Sequence, residues 1–210
     1  ILLATRAINV LFQMSPVAAV LMKVLLDAEE EERSDTLVLS TGTALIALGF
    51  MVAAADRDWD TDPDQRAVDS SEFGYVPDDA AKAFCQGLLM RAFFVLFTSC
   101  RIFSACVLVK SSGHGTVIAW FGIECFGLFA ARCAYDNWRW YSGKTNDAIS
   151  LVIHLFQFAL MNVAPLPILR HPTMLTPLIY ICSLGYVLAS NALMLLVSYS
   201  LFDGDKKIPQ

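Results

Sequence analysis

The chain has 210 residues and a net charge of −5, with 56% hydrophobic and 17% charged residues and a mean hydropathy of +0.54. So much apolar content beside so many charges requires the two kinds to be segregated along the chain, which is the pattern of a polytopic membrane protein. It leaves no room for a sizeable water-soluble catalytic domain, and a net acidic chain is not expected to hold nucleic acid.

Six apolar stretches reach the roughly 20 residues that cross about 30 Å of hydrocarbon as a helix: Ala7 to Leu26, Thr36 to Ala55, Ala83 to Val109, Gly115 to Tyr135, Asn146 to Leu169 and Thr173 to Phe202. They predict an all-α polytopic membrane helix bundle of six transmembrane helices, integral to a membrane that the sequence does not identify. The chain opens at Ile1 without a methionine, as a processed or truncated chain does, so a missing targeting peptide says nothing about compartment.

The first span carries a proline inside its apolar run, MSPVAAVLMK from Met14 to Lys23. Proline removes one helical hydrogen bond and bends the rod, so Pro16 is a hinge candidate. The connection from Asp27 to Asp35 holds six acids and one arginine, and that from Asp56 to Lys82 holds nine acids against three bases; both read as solvated loops. The alternating acids from Asp56 to Asp64 lack the glycine and distal glutamate of a calcium loop, and no metal is expected.

Four charges fall within the third and fourth spans: Arg91, Arg101, Glu124 and Arg132. Each costs on the order of 2.5 to 3.5 kcal/mol at membrane depth unless it finds a partner or a wet cavity. The two spans are joined by a short turn and should be antiparallel neighbours. Arg101 precedes Val109 by about as much as Glu124 follows Gly115, which predicts a buried ion pair between them. Arg91 and Arg132 also share a depth, but like charges repel, so they are expected to snorkel or to find carbonyls or head groups. The fourth span ends in YDNWRWY, Tyr135 to Tyr141, an interfacial aromatic belt.

His154, in the fifth span, reads as a hydrogen-bonded packing residue rather than a proton relay. The fifth span ends in NVAPLPILR, Asn162 to Arg170, which repeats the proline phrase of the first and makes Pro165 a second hinge candidate. After each phrase come a polar connection, another apolar span, an acidic stretch and a further proline, Pro77 in one half and Pro209 in the other. Internal repeats of this kind build many transporters, with the substrate site at the repeat interface. The six cysteines, Cys85, Cys100, Cys106, Cys125, Cys133 and Cys182, form no CxxC pair and read as small packing residues.

Ser15-Pro16-Val17, Ala164-Pro165-Leu166, Pro177, and the order Asn191, Tyr199, Asp203, Ile208-Pro209 resemble the SWEET-type sugar transporters and their PQ-loop relatives. The resemblance implies two three-helix repeats joined by a linker helix: residues 1–109 as the first unit, 110–143 as the linker helix with its aromatic segment, and 144–210 as an incomplete second unit whose last helix would lie beyond Gln210. It implies Asp78, Asn191 and Gln210 as substrate contacts and Pro16, Pro165 and Pro177 as hinges. Asp78 and Gln210 stand where the family has asparagines, and the tryptophans that stack on sugar in its second and sixth helices are missing here, so a charged or other polar solute fits as well as a sugar.

Two functions follow as expectations. The first is a carrier of a small polar solute, sugar-like by resemblance, working by alternating access of two helical repeats. The second is a structural or accessory transmembrane subunit of a larger membrane complex, or a homo-oligomer, since no permeation motif is intact. A voltage sensor would need arginine at every third position over several turns, whereas Arg91 and Arg101 are ten apart. An enzyme is not expected, nor a cofactor: there is no nucleophile elbow, HExxH or phosphate loop.

Overall fold

The computed structural model describes residues 9–61, 63, 76–134 and 177–205. Among the described residues the chain is helical and holds no strand. A π-helical turn, Val10–Met14, leads into α1, Ser15–Asp27. A 3-10 turn, Glu30–Glu32, joins it to α2, Asp35–Thr61, which is followed by α3, Ala80–Ser112, α4, His114–Ala134, and α5, Pro177–Asp205.

Local chemistry sets these ends. Pro16 brings no N–H to the ladder, and just before it the helix widens: the Ser15 N–H bonds to the carbonyl of Val10, and the Ser15 hydroxyl donates to the same oxygen at 2.6 Å. Ser34 accepts from the N–H of Leu37 at 3.2 Å to start α2, and Asp79 accepts from the N–H of Lys82 at 2.9 Å to start α3. Between α3 and α4 the chain reverses at Gly113, whose φ of 83° and ψ of 172° suit glycine alone. The acidic run after Ala55 is partly helix: α2 continues through Thr61, whose hydroxyl donates to the carbonyl of Arg57 at 2.9 Å.

α3 is the central element, packed against α1, α2, α4 and α5. On one side Ala18, Met22, Leu45, Leu48, Val52, Phe94, Ile102 and Cys106 form an apolar core with α1 and α2. Gly49 lets α2 approach so closely that a Cβ there would lie 2.5 Å from the Cα of Val95. On the other side Leu108, Val117 and Met194 join α3 to α4 and α5, with Trp120, Phe121 and Val197 packed on them. The outward positions are apolar too, among them Val20, Leu39, Leu89, Leu96, Ile118, Ile123 and Leu196. Among the described residues two helices, Asp35–Ala55 and Ala80–Ser112, are long and apolar enough to cross a membrane.

The contacts give the helix directions. α1 runs parallel to α3, since Ala19 lies by Cys106 and Asp27 by Lys110. α2 and α4 run antiparallel to it. α5 runs parallel to α3, because Ser190 and Asn191 lie by Arg101 while Met194 lies by Leu108, nearer the α3–α4 turn. Six alternating crossings would set the sixth span antiparallel to the third, whereas α5 packs parallel to it. Hydropathy counts apolar stretches, but only packing shows which way each one runs. The fifth apolar stretch with His154 and Pro165, the aromatic cluster at Tyr135 to Tyr141, and Gln210 lie outside the described residues.

Candidate functional site

Seven residues short of the core residue Leu108, α3 carries a cation inward. Arg101 lies about 18 Å along the axis from the Gly113 turn, at about 1.5 Å per residue. Glu124 lies almost as far down α4 from the same turn, so the hairpin sets the two at one depth. Both are 5% exposed, and Arg101 Nη2 donates to Glu124 Oε2 in a buried salt bridge.

α5 closes the group from the third side. Arg101 Nη1 donates to Ser190 Oγ at 3.2 Å and to Asn191 Oδ1 at 3.1 Å. The Ser190 hydroxyl donates to Glu124 Oε1. One turn up α4, Trp120 Nε1 donates to the same Oε1 at 3.1 Å and to Ser190 Oγ at 3.2 Å. The guanidinium also lies over the Phe121 ring, 4.8 Å from its centroid, a cation–π contact strengthened by exclusion of water. Ser190 thus uses its one donor and both lone pairs, and the carboxylate accepts on both oxygens. The network sums to zero charge and ties three helices together.

The other buried hydroxyls behave differently. Thr98 donates to the carbonyl of Phe94 at 2.7 Å, Ser104 to Cys100 at 2.8 Å and Ser198 to Met194 at 2.7 Å, each four residues back on its own helix, the local solution for a hydroxyl in an apolar helix. Ser190 is directed across the helices to the charges.

Of the sequence-derived site residues, the structure brings together Arg101, Glu124 and Asn191. Asp78 is exposed beside the N-cap of α3, about 30 Å along the axis from Arg101, so it shares no site with Asn191. Pro16 lies on α1, across α3 from the network. Pro177 stands at the first position of α5, where a missing N–H costs nothing and no bend follows. Pro165 and Gln210 lie outside the described residues.

Ser190, Trp120 and Phe121 were missed by sequence reasoning. Their signal was spacing: Trp120 precedes Glu124 by one helical turn, and Ser190 adjoins Asn191 in an apolar run. Arg91 pairs with no acid among the described residues; its guanidinium lies 5.7 Å from the centroid of the Phe50 ring on α2. Of the three cysteines with described side chains, Cys85 and Cys100 are exposed and Cys106 is buried, so among these the packing reading fits Cys106. Among the described residues no three His, Cys, Asp or Glu side chains gather as a metal site would require.

Comparison with protein families, curated proteins and solved structures finds no match to this chain.

Proposed function

We propose that this chain is an integral membrane carrier of a small polar solute, with its solute path at the junction of α3, α4 and α5. The observation that carries this reading is the buried network of Arg101, Glu124, Ser190, Asn191 and Trp120 near the middle of the helices. Ionisable groups at membrane depth are rare, and they line solute and ion paths in many membrane proteins. Apolar side chains on the outward faces of all five helices support a lipid environment, because water would oppose that exposure. The sugar-transporter resemblance agrees with a carrier; the direction of α5 gives no support to its two-repeat arrangement, so the reading rests on the network.

Purified protein reconstituted in liposomes tests it, with uptake of labelled hexoses, amino acids and monocarboxylates compared with empty liposomes. Saturable uptake of one class, reduced at least tenfold in Asn191→Ala of normal folded yield, is the expected result. No saturable uptake of any class, with stoichiometric co-purification of larger partners from native membranes, would overturn the carrier in favour of an accessory subunit.

A further inference from the structure

We infer that the outer face of α2 and α3 at Arg91 and Phe50 holds one anionic phospholipid, its phosphate on the Arg91 guanidinium and one acyl chain along α2. This rests on the membrane placement in the carrier reading and not on transport itself.

The site begins with a cation that the bundle leaves over. Gly49 packs on Val95 and Phe50 lies by Arg91, so Arg91 and Phe50 share one depth on antiparallel helices. Arg91 is half-buried. Its guanidinium meets the Phe50 ring and makes no hydrogen bond or ion pair among the described residues. A ring face answers the charge only in part, and the N–H fork that remains fits the oxygens of a phosphate. Asp56 is the first charge on α2 beyond that level, about 9 Å farther toward the Ala80 end of α3 at about 1.5 Å per residue. Helical side chains lean toward their own N-terminus, so Arg91 leans toward that polar border, where lipid phosphates lie.

From Phe50 an exposed stripe runs the other way along one face of α2, through Ile46, Thr43 and Leu39, at helical spacing. The Thr43 hydroxyl donates to the carbonyl of Leu39 at 2.8 Å, so its proton is tied back to the helix. The stripe is about 16 Å long at about 1.5 Å per residue, half of the roughly 30 Å of hydrocarbon in a bilayer and so the depth of one leaflet. A cation toward the border with an apolar stripe of one leaflet's depth below it matches a phospholipid, head and chain, and a lipid already in the bilayer needs no cavity to enter. A free phosphate ion would gain only the head contact and would lose water beside Phe50. Arg57 shares the face of Phe50, but Asp56 and Asp58 adjoin it in sequence, so that end of α2 brings no net positive charge. Selection falls to Arg91, whose charge an anionic lipid balances and zwitterionic phosphatidylcholine does not.

The test is native mass spectrometry of the protein released from vesicles of phosphatidylglycerol and phosphatidylcholine in equal amounts. The expected result is one retained phosphatidylglycerol per chain, preferred about fivefold over phosphatidylcholine and not displaced by inorganic phosphate. Arg91→Gln is expected to lose the preference. Lys82→Gln is expected to keep it, since Lys82 is exposed on the opposite side of α3. Should Arg91→Gln fail to fold, Arg91→Lys takes its place, with a reduced preference because an ammonium lacks the planar fork. No preference in the wild type, displacement by inorganic phosphate, equal loss in Arg91→Gln and Lys82→Gln, or an unchanged preference in the Arg91 variant overturns the inference. The two readings part in liposomes: a selective lipid without saturable solute uptake keeps the lipid site and removes the carrier, whereas saturable uptake without lipid preference keeps the carrier and removes the site.

Discussion

Arg101→Met and Glu124→Leu, made singly and together, measure how far the two charges depend on each other. Removing one partner leaves the other buried at 5% exposure without its counter-charge, which costs about 3 to 5 kcal/mol. If the sites were independent, the double variant would lose about 6 to 10 kcal/mol. It is expected to lose far less, because no buried charge remains. Ser190 can then donate to the carbonyl of residue 186, as Ser104 and Ser198 do one turn back on their own helices. Asn191 and Trp120 lose one partner each, at about 1 kcal/mol apiece. The double variant should therefore fall about 2 kcal/mol below wild type, with a coupling of about 4 to 8 kcal/mol. Unfolding by SDS in mixed micelles, followed by tryptophan fluorescence, gives the four stabilities. A double variant whose loss equals the sum of the singles, within about 0.5 kcal/mol, would refute the pairing and the placement of α3 beside α4.

Three further results are expected. Gly49→Ala should destabilise the α2–α3 contact by about 1 to 3 kcal/mol, and Val95→Ala should rescue it only in part. The added Cβ meets the Cα and N of Val95 as well as its Cγ2, and only the last is removed; full rescue in the same unfolding assay would contradict the geometry. Gly113→Ala should cost about 1 to 3 kcal/mol from its φ of 83°, while Gly115→Ala, where a Cβ meets nothing within 4 Å, should cost much less. Asp27 should titrate below its ordinary 3.8, chiefly through the hydrogen bond from Lys23, then the charges of Lys23 and Lys110, with partial burial opposing them. Its folded value is depressed, so its contribution is present above pH 3.8 and lost as pH falls through the lowered value. A carboxyl NMR titration with a midpoint at or above 3.8 would show that the contact is not made.

Much of this arrangement was legible because short-range rules govern it. The Arg101–Glu124 contact follows from counting outward from a tight turn, which works because a helical hairpin has one rise per residue and a glycine at its reversal. The all-helical character follows from long apolar runs separated by polar connections. Ser190 and Trp120 were not legible, because their roles depend on which face of α5 meets the hairpin, a long-range fact that no local spacing encodes. The exposure of Asp78 and the direction of α5 belong to the same class. A resemblance of short proline phrases carries neither helix direction nor the distance between two polar side chains, and both decide which residues share a site. Arg91, expected to snorkel or to find carbonyls or head groups, lies over the face of Phe50 on a neighbouring helix, a contact that counting charges does not find.

The energetics of the pair bear on function more than on stability. A buried ion pair replaced by apolar residues of similar size is commonly neutral or better, and the bundle already has two apolar cores, one on each side of α3. The expected small loss in the double variant means that the charges add little to holding the helices together. Retained fold with lost solute uptake in the double variant would assign the pair to transport. Retained uptake in that variant would place the solute elsewhere and leave the pair as packing.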